Sequence, residues 1–172
     1  MVKNGIVIYY SWIGNTKVVA EEIQRLTGFP LLRIEEKRVR QFGNIMGAAM
    51  RAFFGLRSNI KTINYSLNNI DNIFIGSPVW AGKTPPAFNK FLSKAKFKGK
   101  NVWVFITKSE ENIPLKVIDS IKNRIEKKGG KVIDNFSLTT HWDPKTNIPL
   151  TEEEVGSRIQ DWIKSVALKG EE

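Results

Sequence analysis

Cysteine is absent from the 172 residues, which excludes disulfides, thiolate metal sites and a cysteine nucleophile. Its absence fits a reducing compartment. Histidine occurs once, at His141, so multi-histidine metal centres and most histidine-based triads lack their raw material. No apolar run approaches the roughly 20 residues that a membrane-spanning helix needs, and no membrane insertion is expected. The first five residues lead directly into a β-branched run, so no leader peptide is expected. The expectation is a cytoplasmic domain spanning 1–172, long enough to bury a core without metals or cross-links. No internal repeat, low-complexity segment or composition break points to a second domain.

Acidic residues are also scarce, 17 against 27 Lys and Arg, for a formal net charge of +10. Residues 83–100 hold Lys83, Lys90, Lys94, Lys96, Lys98 and Lys100 and no acid. Residues 33–61 hold Arg33, Lys37, Arg38, Arg40, Arg51, Arg57 and Lys61 against Glu35 and Glu36 alone. Such patches attract anionic partners or serve solubility. Nucleic acid is not the expected partner, because the aromatic residues sit at strand ends and core faces rather than among the lysines.

Five short apolar strand candidates are present: Ile6–Tyr10, Leu31–Ile34, Ile70–Ile75, Val102–Ile106 and Lys131–Phe136. Helix-period segments lie between them. Val18, Val19, Ile23 and Leu26 share one face, and Gly28 supplies a stop before Pro30. Phe42, Ile45, Met46, Ala49, Met50 and Phe53 recur at three- and four-residue steps, and 54–69 reads as an irregular crossover. Pro85 or Pro86 opens a helix carrying Phe88, Phe91 and Leu92. Val117, Ile118, Ile121 and Ile125 form a stripe ending at Gly129 and Gly130. Thr151 with Glu152, Glu153 and Glu154 starts a last helix whose acidic first turn suits the helix dipole. Strands alternating with helices call for a parallel sheet covered on both faces, and right-handed crossovers leave few topologies. Ligands of such sheets sit beyond the carboxyl ends of the strands, where the loops 11–16, 77–84 and 107–113 would converge.

The first of these loops, Ser11-Trp12-Ile13-Gly14-Asn15-Thr16, joins a strand to a helix. The first helical N–H groups have no partner within the helix, and the macrodipole adds positive potential, so the turn suits an anion. Ser11, Thr16 and Asn15 add side-chain donors, and Gly14 permits close approach of the backbone. The second loop, Ile75-Gly76-Ser77-Pro78-Val79-Trp80-Ala81-Gly82-Lys83-Thr84, ends like a nucleotide-binding P-loop. That motif needs four residues between its glycines, however, whereas Gly76 and Gly82 enclose five, and Pro85-Pro86 blocks the helix that should follow directly. Trp80 instead offers an indole face to a flat ring, or a lid over the core. A phosphate turn beside a stacking loop points to a ligand with a phosphate tail and an aromatic head. His141, Trp142 and Asp143 follow the fifth strand, but a loop histidine without a visible partner carries little chemistry.

Together, the Tyr10–Thr16 turn and the Ile75–Gly82 loop resemble the flavodoxin family, and the order of strands and helices matches that family over nearly the whole chain. The resemblance implies an α/β, flavodoxin-like, doubly wound five-stranded parallel sheet of order 2-1-3-4-5, with helices on both faces and FMN at the switch point. Flavodoxin is itself the type example of that order, so the order comes with the resemblance and not from residue patterning. The resemblance also implies a cofactor site made by Ser11, Trp12, Ile13, Gly14, Asn15 and Thr16 around the phosphate. Pro78, Val79, Trp80, Ala81 and Gly82 would lie on one side of the ring, with Thr107, Lys108 and Ser109 on the other. No catalytic or metal-binding residue is assigned, since the flavin would carry the chemistry.

Three departures from the family shape the expectation. The third loop, Thr107-Lys108-Ser109-Glu110-Glu111-Asn112, lacks the family's glycines, and its two glutamates would repel an anionic reduced flavin. Familiar members are acidic and dock on basic partners, whereas this chain is basic, so its redox partner protein should present an acidic docking face. The helix at 42–55 and the crossover after it do not closely match the shortest members and would add surface or a dimer contact, which leaves monomer or homodimer open. The function expected is electron transfer by bound FMN. The alternatives are a flavin-dependent NAD(P)H:quinone-type oxidoreductase, with Lys83, Lys108 or Arg57 as phosphate contacts, and a flavin-free basic binding domain.

Overall fold

The computed structural model describes residues 4–37, 57–109, 112, 114–140 and 149–169. Within them the chain runs β1 (Gly5–Tyr9), α1 (Asn15–Thr27), β2 (Leu31–Arg33), β3 (Asn72–Pro78), α2 (Pro86–Lys94), β4 (Asn101–Lys108), α3 (Leu115–Glu126), β5 (Lys131–Thr139) and α4 (Glu152–Lys169). The helix expected over 42–53, the Glu110-Glu111 pair and the His141-Trp142-Asp143 group lie outside the described residues. All strand pairs are parallel, and the sheet order is 2-1-3-4-5.

Alternation along the strands divides the core in two, because successive side chains leave a strand on opposite faces. Ile8, Ile73, Ile75, Val102 and Val104 join Phe88, Phe91 and Leu92 of α2 and Val117, Ile121 and Ile125 of α3. Val7, Tyr9, Phe74, Trp103 and Phe105 join Val19, Ala20 and Ile23 of α1 and Val155, Ile159 and Trp162 of α4. Complete burial of each large aliphatic or aromatic side chain is worth roughly 1.5–3 kcal/mol, so both layers are held chiefly by this apolar contact.

The helix ends follow local chemistry. α1 stops at Thr27 because Gly28 turns left-handed at φ 73° and donates its N–H to the Gln24 carbonyl at 2.7 Å. Pro86 occupies the first turn of α2, where its missing N–H costs nothing. Thr151 and Glu154 form a reciprocal cap at the start of α4. The Glu154 N–H donates to Thr151 Oγ1 at 3.3 Å, and the Thr151 N–H donates to Glu154 Oε2 at 2.7 Å. Residues 57–71 hold no helix or strand; a single antiparallel bridge, Glu36 with Ile60, fixes this stretch beside the chain leaving β2.

Three strands run farther than the hydrophobic pattern predicts, and all three extensions bear on the cleft: β4 continues past Ile106 through Thr107 and Lys108. β3 begins at Asn72 rather than Ile70 and continues through Gly76, Ser77 and Pro78, paired with Phe105, Ile106 and Thr107. Proline is tolerated there because the β1 ladder ends at Gly76, so no neighbour on that side needs its missing N–H. Gly76 is required for a different reason: a Cβ would lie 2.0 Å from the Phe105 ring. β5 continues past Phe136 to Thr139 along β4. An irregularity opposite Val102 and Trp103 inserts Ile133 into β5, so Val132 packs with the α2–α3 layer while Ile133, Phe136 and Leu138 pack with the α1–α4 layer.

Candidate functional site

The carboxyl ends of β1, β3, β4 and β5 border one cleft of ≈ 800 Å³, its open mouth included. Every residue expected from the sequence lines it except Gly14 and Gly82, and Thr140 lines it without having been expected. The two glycines act on backbone shape. Gly14 caps α1 at φ +112°, and a Cβ on it would lie 2.9 Å from Pro149 Cβ. Gly82 and Ala81 are both left-handed, at φ 69° and 46°. Reciprocal backbone bonds of 2.9 Å between Trp80 and Lys83 close them into a two-residue hairpin of the I′ kind. Alanine is an uncommon occupant of such a position, because its Cβ crowds the backbone there.

One side of the cleft is built from buried hydroxyls. Ser11, Asn15, Thr16 and Thr107 are all nearly inaccessible to solvent. Ser11 Oγ accepts the Gly14 N–H at 3.1 Å, which leaves its own proton to donate. Thr16 Oγ1 on α1 and Thr107 Oγ1 on β4 lie 2.8 Å apart. One proton lies between them, so the pair keeps a second to give to a ligand. The Asn15 side chain is partly committed elsewhere: its Oδ1 accepts the Leu150 N–H at 2.8 Å, which ties this turn to the approach to α4.

The other side is aromatic. The Trp80 ring meets Trp12 edge-to-face at 5.3 Å and 65°, and Tyr10 at 5.8 Å and 74°. Trp12, Val79 and Trp80 are partly buried and pack on the α2–α3 layer. Trp80 therefore covers the core and also borders the cleft. The Tyr10 hydroxyl donates to Glu36 Oε2 at 3.1 Å, and the Ser58 hydroxyl donates to the same carboxylate, which fixes the tyrosine against the crossover segment.

At the rear, Thr140 gives its N–H and its hydroxyl to the Lys108 carbonyl, at 2.7 and 3.2 Å. Lys108 is only 5% exposed, and its Nζ donates to Thr139 Oγ1 at 2.7 Å. It carries the one ionisable side chain among the described residues lining the cleft. Nothing in the sequence marks Thr140, since a lone threonine after a strand belongs to no motif; only the extra length of β5 brings it here.

Part of the basic excess gathers between α2 and α3. Arg124 donates to Asn89 Oδ1 and to the Asn89 carbonyl at 2.6 and 2.9 Å, while Lys128 donates to the Leu92 and Ala95 carbonyls at 2.6 and 3.0 Å. Burial, reinforced by the neighbouring Arg57, lowers the Arg124 pKa below its ordinary value. Burial lowers that of Lys128 as well, with further contributions from Arg124, Arg57 and Lys94. These cations therefore crowd one another while closing the carbonyl end of α2. Among the described residues, no group of histidines and acids is placed to hold a metal, and no helix is long and apolar enough to cross a membrane.

A family model described as flavodoxin matches residues 50–145, more than half of the chain. No curated protein matches it. Among solved structures, a flavoprotein from Bacteroides eggerthii is 22% identical with a TM-score of 0.71, over 95% of this chain and 98% of that one. A flavoprotein from Lactobacillus acidophilus, solved in complex with FMN, is 23% identical with a TM-score of 0.60, over 79% and 93%. Oxidised flavodoxin 2 from Bacillus cereus is 17% identical with a TM-score of 0.54, over 94% and 99%. At these identities the likenesses speak for the fold, which is flavodoxin-like, and the family model adds the lineage: the chain belongs to the flavodoxin family.

Proposed function

We propose that this protein binds FMN in the cleft and carries electrons between partner proteins. The observation that carries the reading is the two-sided cleft itself, in a flavodoxin-family chain. Buried hydroxyls at the N-terminus of α1 lie on one side and the Trp12–Trp80 pair on the other. The donor set suits a phosphate monoester. The first amides of α1, the spare protons of Ser11 and of the Thr16–Thr107 pair, and the dipole of a 13-residue helix all favour an anion. The aromatic side suits a flat ring. The flavin would supply the redox chemistry, and these residues would hold and orient it while setting its potential. No side chain is asked to move a proton. The cation-rich α2–α3 side supports a redox partner with an acidic docking face, whose association should slow as salt is raised.

The test is the visible spectrum of the purified protein before and after FMN is added. Flavin bands perturbed by the protein, with an affinity of micromolar or better, are expected; no binding at micromolar FMN would remove the reading. Anaerobic mixing with NADPH then separates a carrier from an enzyme. The carrier should stay oxidised until a reductase is supplied, whereas direct and rapid reduction would assign the chain to the NAD(P)H-dependent oxidoreductases.

A further inference from the structure

We infer that Lys108 is the group that sets the potential of the flavin, stabilising the reduced, anionic ring; this rests on the FMN reading above. Thr107 turns toward α1, where it meets Thr16, so the next residue of the strand leaves on the opposite side of the sheet. Lys108 does so, reaching Thr139, its register partner on β5. That is the side on which Trp12 and Trp80 pack. The lysine thus shares the ring side of the cleft, away from the hydroxyls suited to phosphate.

Burial decides its weight. The other lysines that make this chain basic stand largely at the surface, and beyond a Debye length of about 8–10 Å their fields are screened. Lys108 is almost completely enclosed, where a charge is screened far less. Oxidised FMN has a neutral ring and the reduced form gains negative charge, so a nearby cation binds the reduced form better and raises the potential. Glu110 and Glu111 follow closely in the chain and are left unchanged in the test. The experiment therefore removes the lysine alone against that fixed background.

Wild type, K108M and K108R are titrated anaerobically with oxidised and with reduced FMN, and again with riboflavin, which lacks the phosphate. K108M should weaken binding of reduced FMN about tenfold more than that of oxidised FMN, equivalent to about 30 mV in the two-electron potential. The same differential should appear with riboflavin, and K108R should retain most of the wild-type value. K108Q replaces K108M if the latter does not fold. An unchanged ratio overturns the inference, and so does a loss seen with FMN but absent with riboflavin, which would make Lys108 a phosphate ligand. Failure of the wild type to bind any flavin would instead bring down the functional reading itself, and it shows in a separate measurement.

Discussion

The hydroxyl and aromatic sides of the cleft are held in place by different physics. On the hydroxyl side almost every polar atom that shapes the turn is buried and bonded. Ser11 is tied to Gly14, Thr16 to Thr107, and Asn15 reaches across 135 positions to Leu150. On the aromatic side a two-residue hairpin projects Trp80, held by a pair of backbone bonds and two edge-to-face ring contacts. The first side is rigid because breaking it strands buried polar groups; the second can yield, because ring contacts lose strength gradually. A phosphate needs fixed donors, whereas a ring whose charge changes tolerates, and profits from, a softer neighbour.

Substitutions can break or sharpen this contrast, and the largest effect should come from Gly14. Gly14→Val places a branched Cβ at φ +112° against Pro149, and should cost about 2–4 kcal/mol in urea unfolding and abolish tight FMN binding. Near-wild-type stability in that variant would mean the turn is softer than described. Asn15→Ala should cost about 1–3 kcal/mol by stranding the Leu150 N–H. Asn15→Asp sharpens the point. Its carboxylate restores the acceptor, so stability should recover, while FMN affinity falls more than riboflavin affinity because a negative charge now faces the phosphate.

On the aromatic side the effects should be smaller and should fall on binding rather than folding. Trp80→Ala should weaken FMN by about tenfold, near 1.4 kcal/mol, with a loss of stability well below that of Gly14→Val. Equal losses in both assays would give Trp80 over to the core. Smallest of all, Ala81→Gly should relieve the left-handed strain against glycine's greater chain entropy, for a net gain of about 0.5 kcal/mol in thermal or urea unfolding.

How much of this is legible in the sequence follows the same division. The strand cores, the Gly28 stop, the Pro86 start and the Thr151–Glu154 cap are local signals, and each appears where residue chemistry puts it. The convergence of three loops can be read from alternating elements, and those loops meet at one cleft. Contacts between distant positions are hidden. Asn15 reads as a free donor, yet its oxygen is taken by Leu150. The hairpin at Trp80 escapes notice because alanine does not announce a left-handed turn. Thr139 and Thr140 fall beyond an apolar run that ends at Phe136, since the last residues of β5 are held by their β4 ladder rather than by hydrophobic patterning. The +10 charge is plain from composition, but that one lysine among many is buried in the cleft is a fact of tertiary structure.

The inserted Ile133 has a consequence that reaches the far end of its strand. A strand is a two-letter alphabet, odd and even, and one extra residue exchanges the letters for everything downstream. Were Ile133 instead drawn into the ladder opposite Trp103, Phe136 would leave its stacked place on Trp162, and Thr139 and Thr140 would trade sides beside Lys108. The rear of the cleft is thus spelled by the parity of a position near the opposite edge of the sheet. A one-residue slip of the ladder there would rewrite the rear of the cleft without touching any residue that lines it.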